Sequence, residues 1–266
     1  MKTAIKLVLI YLGMQILSML LVMIPCVIYL VATGGSIDDA QKMAIAPSLL
    51  LSILMMTLYL WKSGYVCRSK EEWSPVSPSY LALSVVSILS VIWILDWILS
   101  FVHIPDWLES TFDIMQSGWV GIVCISILGP ILEELLFRGA ATRALLKKYT
   151  PGKAIFISAL IFGVFHINPV QVIGAFFIGL LLAWIYYRSG SLIPCILIHI
   201  VNNSLSTYLS IKYPGVDNLP ELLGDTSTIV GVVVAILLFI LSYYLMKRIT
   251  TPAVQWKEED HSDSNN

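Results

Sequence analysis

Long apolar segments recur along the whole chain, and their length constrains the fold more than any other feature. An α-helix needs about 20 mostly apolar residues to cross the ~30 Å hydrocarbon core of a bilayer. By that measure the sequence predicts eight spanning helices, at residues 4–32, 44–61, 81–104, 118–138, 154–168, 170–187, 191–211 and 227–246. We therefore expect an all-α, polytopic membrane helical bundle. The fifth segment is short, so it either spans with little tilt or forms a close hairpin with the sixth.

The composition agrees with a membrane protein. Hydrophobic residues make up 58% of the chain and charged residues 12%, whereas soluble domains carry about 25% charged residues. The net charge of -1 gives no electrostatic basis for a nucleic-acid partner. The first apolar segment is much longer than the 7–15 residues of a signal-peptide core, so we interpret it as a transmembrane helix.

The basic residues predict the orientation. With eight spans, one side of the membrane holds 14 of the 16 Lys and Arg residues, and the other side holds Lys42 and Lys212. Because cytoplasmic loops are enriched in Lys and Arg, we expect both termini in the cytoplasm and an integral protein of the cell membrane.

The chain divides into four predicted parts. Residues 1–114 hold the first three helices, 115–211 hold helices four to seven, 212–250 hold the eighth helix, and 251–266 form a polar cytoplasmic tail. The polar stretch KSGYVCRSKEEWSPVSPSY is interpreted as a connector. The four cysteines form no CxxC pair and no disulfide framework, so we interpret them as packing residues.

Ionisable side chains in the apolar segments are candidates for function, because each costs at least ~2.5–3.5 kcal/mol to insert. The candidates are Asp96, Glu133, Glu134, Arg138, His166 and His199, with Asn202 and Asn203 beside the last. Glu134 and Arg138 are four residues apart, the spacing of a helical ion pair. Glu133 is turned away from that pair by over 100°, which leaves it free for other work. The alternative is a structural ion pair with Glu133 extending to the cytoplasmic surface.

The two histidines have both structural and functional interpretations. His166 follows Phe162 by four residues, and His199 precedes Asn203 by four, so each pair shares a helix face. Either histidine could be an ordinary hydrogen-bonding residue between helices.

Depth in the membrane favours the functional interpretation. Measured at 1.5 Å per residue from the basic residue at the cytoplasmic end of each helix, Glu133, His166 and His199 lie roughly 15 to 20 Å deep, and Asn203 lies roughly 22 Å deep. Packing residues need not share one level. A polar cavity open to the cytoplasm would explain the agreement.

Such a cavity suits the hydrolysis of an amide bond. Glu133 is a candidate general base for water. Glu133, His166 and His199 also form a common zinc ligand set, and Asn203 with one histidine could stabilise an oxyanion. The chain has no HExxH and no GxSxG sequence, which argues against those two protease classes.

Three ordered motifs resemble a known family. EELLFR (133–138), FGVFH (162–166) and HIVNN (199–203) are similar to the EExxxR, FxxxH and HxxxN/D motifs of the CPBP family, also called the Abi family. This family contains CaaX prenyl proteases and bacteriocin-processing enzymes. The flanks LFRG, HINP and RSGSLIPCILIHIVNN agree as well, and the resemblance covers about residues 115–207.

The resemblance implies an intramembrane endopeptidase, with a role for each motif residue. Glu133 and His166 would activate water, His199 and Asn203 would act on the oxyanion, and Arg138 would support the glutamates. Zinc is a possible cofactor, with Glu133, His166 and His199 as its ligands, but a metal-free glutamate mechanism fits equally.

Other interpretations stay open at this point. A membrane scaffold or regulator of the same fold is the main alternative, and a proton-coupled transporter is the next. The expected partners are membrane lipid and a peptide or lipidated protein that enters from the cytoplasmic side: a prenylated CaaX tail, a double-glycine leader or a quorum-sensing propeptide. Asp96 has no assigned role; it pairs either with another helix or with the cavity.

Overall fold

The structure is a computed structural model that describes residues 1–66, 72–249 and 256. Every regular secondary-structure element among the described residues is a helix. The predicted tail lies outside the described residues apart from Trp256. Three of the basic residues used to predict the orientation, Arg68, Lys70 and Lys257, also lie outside them. The prediction of an all-α polytopic membrane bundle is confirmed, and the chain is an integral membrane protein.

Ten helices make up the described part of the chain. They are α1 (Lys2–Thr33), α2 (Ile37–Lys62), α3 (Pro78–Leu99), α4 (Glu109–Gln116), α5 (Trp119–Lys148), α6 (Pro151–Phe165), α7 (Pro169–Ser189), α8 (Ile193–Lys212), α9 (Leu219–Leu223) and α10 (Asp225–Ile249). Each of the eight predicted segments corresponds to one of the longer helices.

Six of these helices are long and apolar enough to cross a membrane, namely α1, α2, α3, α5, α7 and α10. The other two predicted spans are α6 and α8. Helix α6 has 15 residues, about 22 Å of helix, which is shorter than the hydrocarbon core. Helix α8 is long enough but carries His199, Asn202 and Asn203, which lower its hydropathy. The two helices that fall short therefore position both predicted catalytic histidines: His166 directly follows the last residue of α6, and His199 lies within α8.

Proline occurs in the first turn of each of the three helices that surround these histidines. Pro151, Pro169 and Pro194 lie in the first turns of α6, α7 and α8. Proline suits these positions because its missing N–H would have no partner in the first turn of a helix. The intervening turns are short, so α6, α7 and α8 pack as consecutive neighbours.

Helix α5 forms the centre of the bundle. All eight residues from Leu135 to Thr142 are buried, and α5 contacts α1, α2, α7 and α8. Around it, the most extensive contacts are made by α1 with α2, α3 with α10, and α6 with α7.

Glycine allows α6 and α7 to approach closely. A methyl group at Gly163 would lie 2.9 Å from the Val172 carbonyl oxygen and 3.1 Å from Phe176 Cβ. On the facing helix, a methyl group at Gly179 would lie 3.0 Å from the Phe162 ring. Small residues commonly allow such contacts between membrane helices. The close contact fixes the position of Phe162 and of His166, one turn further along.

We expect Gly163→Ala to destabilise the protein by about 1–3 kcal/mol, because the added methyl group meets backbone atoms that cannot move independently. Thermal unfolding of the detergent-solubilised protein measures this change. Gly174→Ala in α7 is the matched control, since no atom lies within 4 Å of its added Cβ. Equal unfolding temperatures for the two variants would contradict the packing assigned to α6 and α7.

Candidate active site

Helix α5 is not a regular α-helix around the EELLFR motif (133–138). It contains two π-helical turns, Cys124–Leu128 and Leu135–Thr142, on either side of Gly129–Glu134. Such turns are rare and are frequent at functional sites. The glutamate pair therefore lies in a short α-helical segment between two wider turns.

Pro130 leaves one carbonyl group of the first π turn without a backbone donor. The Gly129 N–H donates to the Cys124 carbonyl oxygen, so the next carbonyl, that of Ile125, would pair with the N–H of residue 130 in the same register. Proline has no N–H. The Asn203 side chain of α8 donates to the Ile125 oxygen instead, at 3.0 Å. Asn203 therefore joins α8 to the irregular turn of α5.

The predicted ion pair between Glu134 and Arg138 is present and completely buried. Arg138 donates to Glu134 Oε1 at 2.8 Å, and both side chains are fully inaccessible to solvent. Arg138 also donates to the Gly179 carbonyl oxygen at 3.4 Å, and its guanidinium lies 4.4 Å from the centre of the Phe162 ring. The buried charge is thus compensated by a carboxylate, a carbonyl and an aromatic face.

His199 is bonded to the second glutamate, a contact that the sequence did not predict. Its Nδ1 donates to Glu134 Oε1 at 2.7 Å, and the residue is 3% exposed. Because an ionised carboxylate can only accept hydrogen bonds, Nδ1 carries the proton. When the ring is neutral, its lone pair is therefore on Nε2.

The free nitrogen of His199 faces the first glutamate. Nε2 lies 3.7 Å from Glu133 Oε2, too far for a direct hydrogen bond. Glu133 Oε2 is buried and has no hydrogen-bond partner among the described residues, although the Glu133 side chain as a whole keeps 16% of its surface accessible.

His166 is fixed by its own helix. Its Nδ1 donates to the Phe162 carbonyl oxygen at 2.8 Å, so the neutral ring again has its lone pair on Nε2. The Phe162 ring contacts both histidines edge to face, with its centre 4.8 Å from the His166 ring and 5.8 Å from the His199 ring. Phe162 thus forms the aromatic wall against which Arg138, His166 and His199 are placed, a role that its spacing alone did not reveal.

The predicted zinc ligands do not come together as a set. Among the described residues, which include Glu133, His166 and His199, no three His, Cys, Asp or Glu side chains are arranged to hold a metal ion. The Nδ1 bond of His199 to Glu134 would leave Nε2 free to ligate, and Nε2 faces Glu133, so what is missing is a third ligand arranged with these two. We therefore derive no catalytic step through zinc.

Two acidic residues outside the motifs have structural partners. Asp96 Oδ2 accepts a hydrogen bond from the Leu219 N–H at 2.7 Å, so it fixes the start of α9. Glu72, which the sequence placed in a polar connector, is buried and accepts from Arg143 at 3.1 Å and from the Tyr186 hydroxyl at 2.8 Å. The connector is therefore attached to α5 and α7, and neither carboxylate belongs to the candidate site.

Comparisons with known proteins match the segment of the chain that holds this site. Residues 115–205 match the family model "Type II CAAX prenyl endopeptidase Rce1-like". The chain is also 29% identical over 104 residues to a Bacillus subtilis (strain 168) protein named "Putative membrane peptidase YdiL". This match covers 39% of the present chain and 43% of the relative, so the chain spans less than half the length of that relative. No solved structure gives a significant match.

The matched segment contains all three motifs. The resemblance to the CPBP family is therefore confirmed, and it rests on α5 to α8, the four helices that build the site. Both matched names are those of peptidases.

We expect Arg138→Met to destabilise the protein by about 3–5 kcal/mol, because it leaves Glu134 buried without its cation. Adding Glu134→Gln removes the uncompensated charge and should recover much of that loss, since the amide oxygen can still accept from His199. Unfolding of the detergent-solubilised wild type, both single variants and the double variant measures the coupling. A double variant no more stable than Arg138→Met would contradict the compensation described here.

Proposed function

We propose that the chain is an intramembrane endopeptidase that hydrolyses a peptide bond with a water molecule activated by Glu133. The observation that carries this proposal is the 3.7 Å separation of Glu133 Oε2 and His199 Nε2, two acceptor atoms without a bond between them, deep in an apolar bundle. The sequence motifs and the family match of residues 115–205 support the same reaction.

Glu133 is the general base in this mechanism. Its carboxylate removes a proton from water as the oxygen attacks the substrate carbonyl carbon, and His166 Nε2 orients the water by accepting its other hydrogen. When the tetrahedral intermediate collapses, the C–N bond breaks and Glu133 returns its proton to the departing amine. A base placed in this way contributes typically 10²–10⁴-fold to the rate.

His199 and Asn203 act on the substrate oxygen. Glu134 holds His199 through Nδ1 and stabilises the imidazolium, as the aspartate of a serine-protease triad stabilises its histidine. Once Nε2 has taken up a proton from bulk water, before the attack on the substrate, its N–H donates to the developing oxyanion and keeps that proton throughout, so Glu133 alone carries the proton of the attacking water. Asn203 Nδ2 has two hydrogens, of which one bonds Ile125, so the second is available to the same oxygen.

The substrate is a membrane-associated peptide or lipidated protein that enters from the cytoplasmic side. The 14-to-2 distribution of Lys and Arg in the sequence supports cytoplasmic termini and the cell membrane as the location. The short helix α6 supports a site reached by water from one side, because non-helical backbone at this depth must be buried or line a wet cavity.

Glu133→Gln should abolish cleavage, with a loss of at least about 10²-fold, while the fold is kept, because the amide cannot accept the proton. The assay uses the full chain in proteoliposomes with three quenched fluorescent peptides: a farnesylated CaaX peptide, the same peptide without the lipid, and a double-glycine leader. Glu109→Gln, an exposed glutamate of α4, is the matched control and should keep full activity.

Each reaction is run with a chelator and again with added zinc. Activity that survives the chelator would support the metal-free mechanism, and reversible loss would support zinc. Wild-type activity in Glu133→Gln would contradict the base assigned here. If the wild type cuts none of the three peptides, these substrate classes are wrong and a regulatory role becomes the better explanation.

A further inference from the structure

The turn between α6 and α7 places His166, and it contains a strained residue. Ile167 has φ 60°, a left-handed conformation that is a genuine outlier for a β-branched side chain. Such a residue costs on the order of 1–3 kcal/mol and persists where its surroundings fix it. Ile167 itself is 59% exposed, so its own packing contributes little to holding the turn.

Asn168, the next residue, is 1% exposed and holds the turn. Its N–H donates to the His166 carbonyl oxygen at 2.5 Å. It stands at the N-cap of α7, where an asparagine normally bonds the first turn of the helix, yet its side chain makes no such bond. The side chain is directed elsewhere.

The side chain of Asn168 is bonded instead to the α3–α4 loop, residues 100–108. Oδ1 accepts from the Trp107 N–H at 3.0 Å, and Nδ2 donates to Asp106 Oδ1 at 2.9 Å. The same Asp106 oxygen accepts from the Leu108 N–H at 2.9 Å, which closes the loop on itself. Two hydrogen bonds therefore connect a loop outside the family-matched segment to the turn that carries His166.

We propose that Asn168 is a positioning residue for His166, and that Asp106 acts through it. The loop fixes the Asn168 side chain, and Asn168 in turn stabilises the left-handed turn at Ile167. This turn orients the His166 ring so that its Nδ1 bonds the Phe162 carbonyl oxygen. This proposal rests on the proposed function for its effect on catalysis, but the geometry of His166 can be measured without any cleavage.

The test exchanges the donor and the acceptor of the hydrogen bond between Asn168 and Asp106. Asn168→Asp faces Asp106 with a second carboxylate at about hydrogen-bond distance, so the bond is replaced by repulsion. In the double variant with Asp106→Asn, the amide at 106 donates to the carboxylate at 168, which still accepts from Trp107. Asp106→Asn alone is the matched control, because the amide oxygen can accept from both Asn168 and Leu108.

The first readout is the tautomer of His166 at pH 8. Spectra of ¹⁵N-histidine-labelled protein in detergent, assigned with His166→Gln, should show a single Nδ1–H form in the wild type. We expect a mixture of tautomers in Asn168→Asp, and the single form in the control and the double variant. The second readout is cleavage, where kcat should fall roughly ten- to a hundredfold in Asn168→Asp with KM little changed, and recover in the double variant.

An unchanged His166 tautomer in a folded Asn168→Asp protein would overturn the proposal, as would a double variant that does not recover. If Asn168→Asp does not fold, Asp106→Ala takes its place, since Asp106 is exposed and its loss removes the same bond. A wild type with the single tautomer but no cleavage would overturn the proposed function and leave the positioning role intact.

Discussion

The Glu134–Arg138 ion pair is the interaction on which the rest of the site depends. Two charges with no accessible surface are costly in an apolar bundle unless their geometry and further hydrogen bonds compensate them. The charge of Arg138 is compensated by the Glu134 carboxylate, the Gly179 carbonyl and the Phe162 ring. Glu134 accepts a second hydrogen bond, from His199. Apart from Glu134 itself, these partners come from α6, α7 and α8, so the buried pair gains them only when the four helices are assembled.

The same assembly leaves Glu133 available for chemistry. Because Glu134 takes both the arginine and the Nδ1 proton of His199, the neighbouring carboxylate keeps an oxygen without a partner among the described residues. Each glutamate keeps one buried oxygen without a partner, but their environments differ: Glu134 is fully buried and bonded to Arg138 and His199, whereas the Glu133 side chain is partly accessible and its Oε2 lies beside Nε2 of His199. This separation of roles is what a general base next to an oriented histidine requires.

Irregular backbone provides the remaining geometry. Pro130 and the π turns of α5 expose a carbonyl group that Asn203 satisfies, and the left-handed turn at Ile167 sets the end of α6. Both irregularities occur next to a predicted site residue, and both are held by an asparagine side chain. Membrane helices tolerate such backbone where protein groups take up the freed hydrogen-bonding atoms.

The sequence by itself determined the helical class, the positions of all eight longer helices and the ion pair of Glu134 with Arg138. These features depend on local spacing: hydrophobic length sets a helix, and a separation of four residues sets a pair on one face. The depth estimate also predicts that Glu133, His166, His199 and Asn203 lie at one level, because the rise per residue of a helix is constant.

Only the tertiary structure decided which of these groups bond to each other. His199 and Glu134 are 65 residues apart in the chain, and the rotation of α8 against α5 that joins them is set by side-chain packing, which periodicity does not encode. For the same reason the sequence paired neither Asn203 with Ile125 nor Asn168 with Asp106. It also placed Glu72 in a polar connector, because its buried partners Arg143 and Tyr186 come from helices distant in sequence.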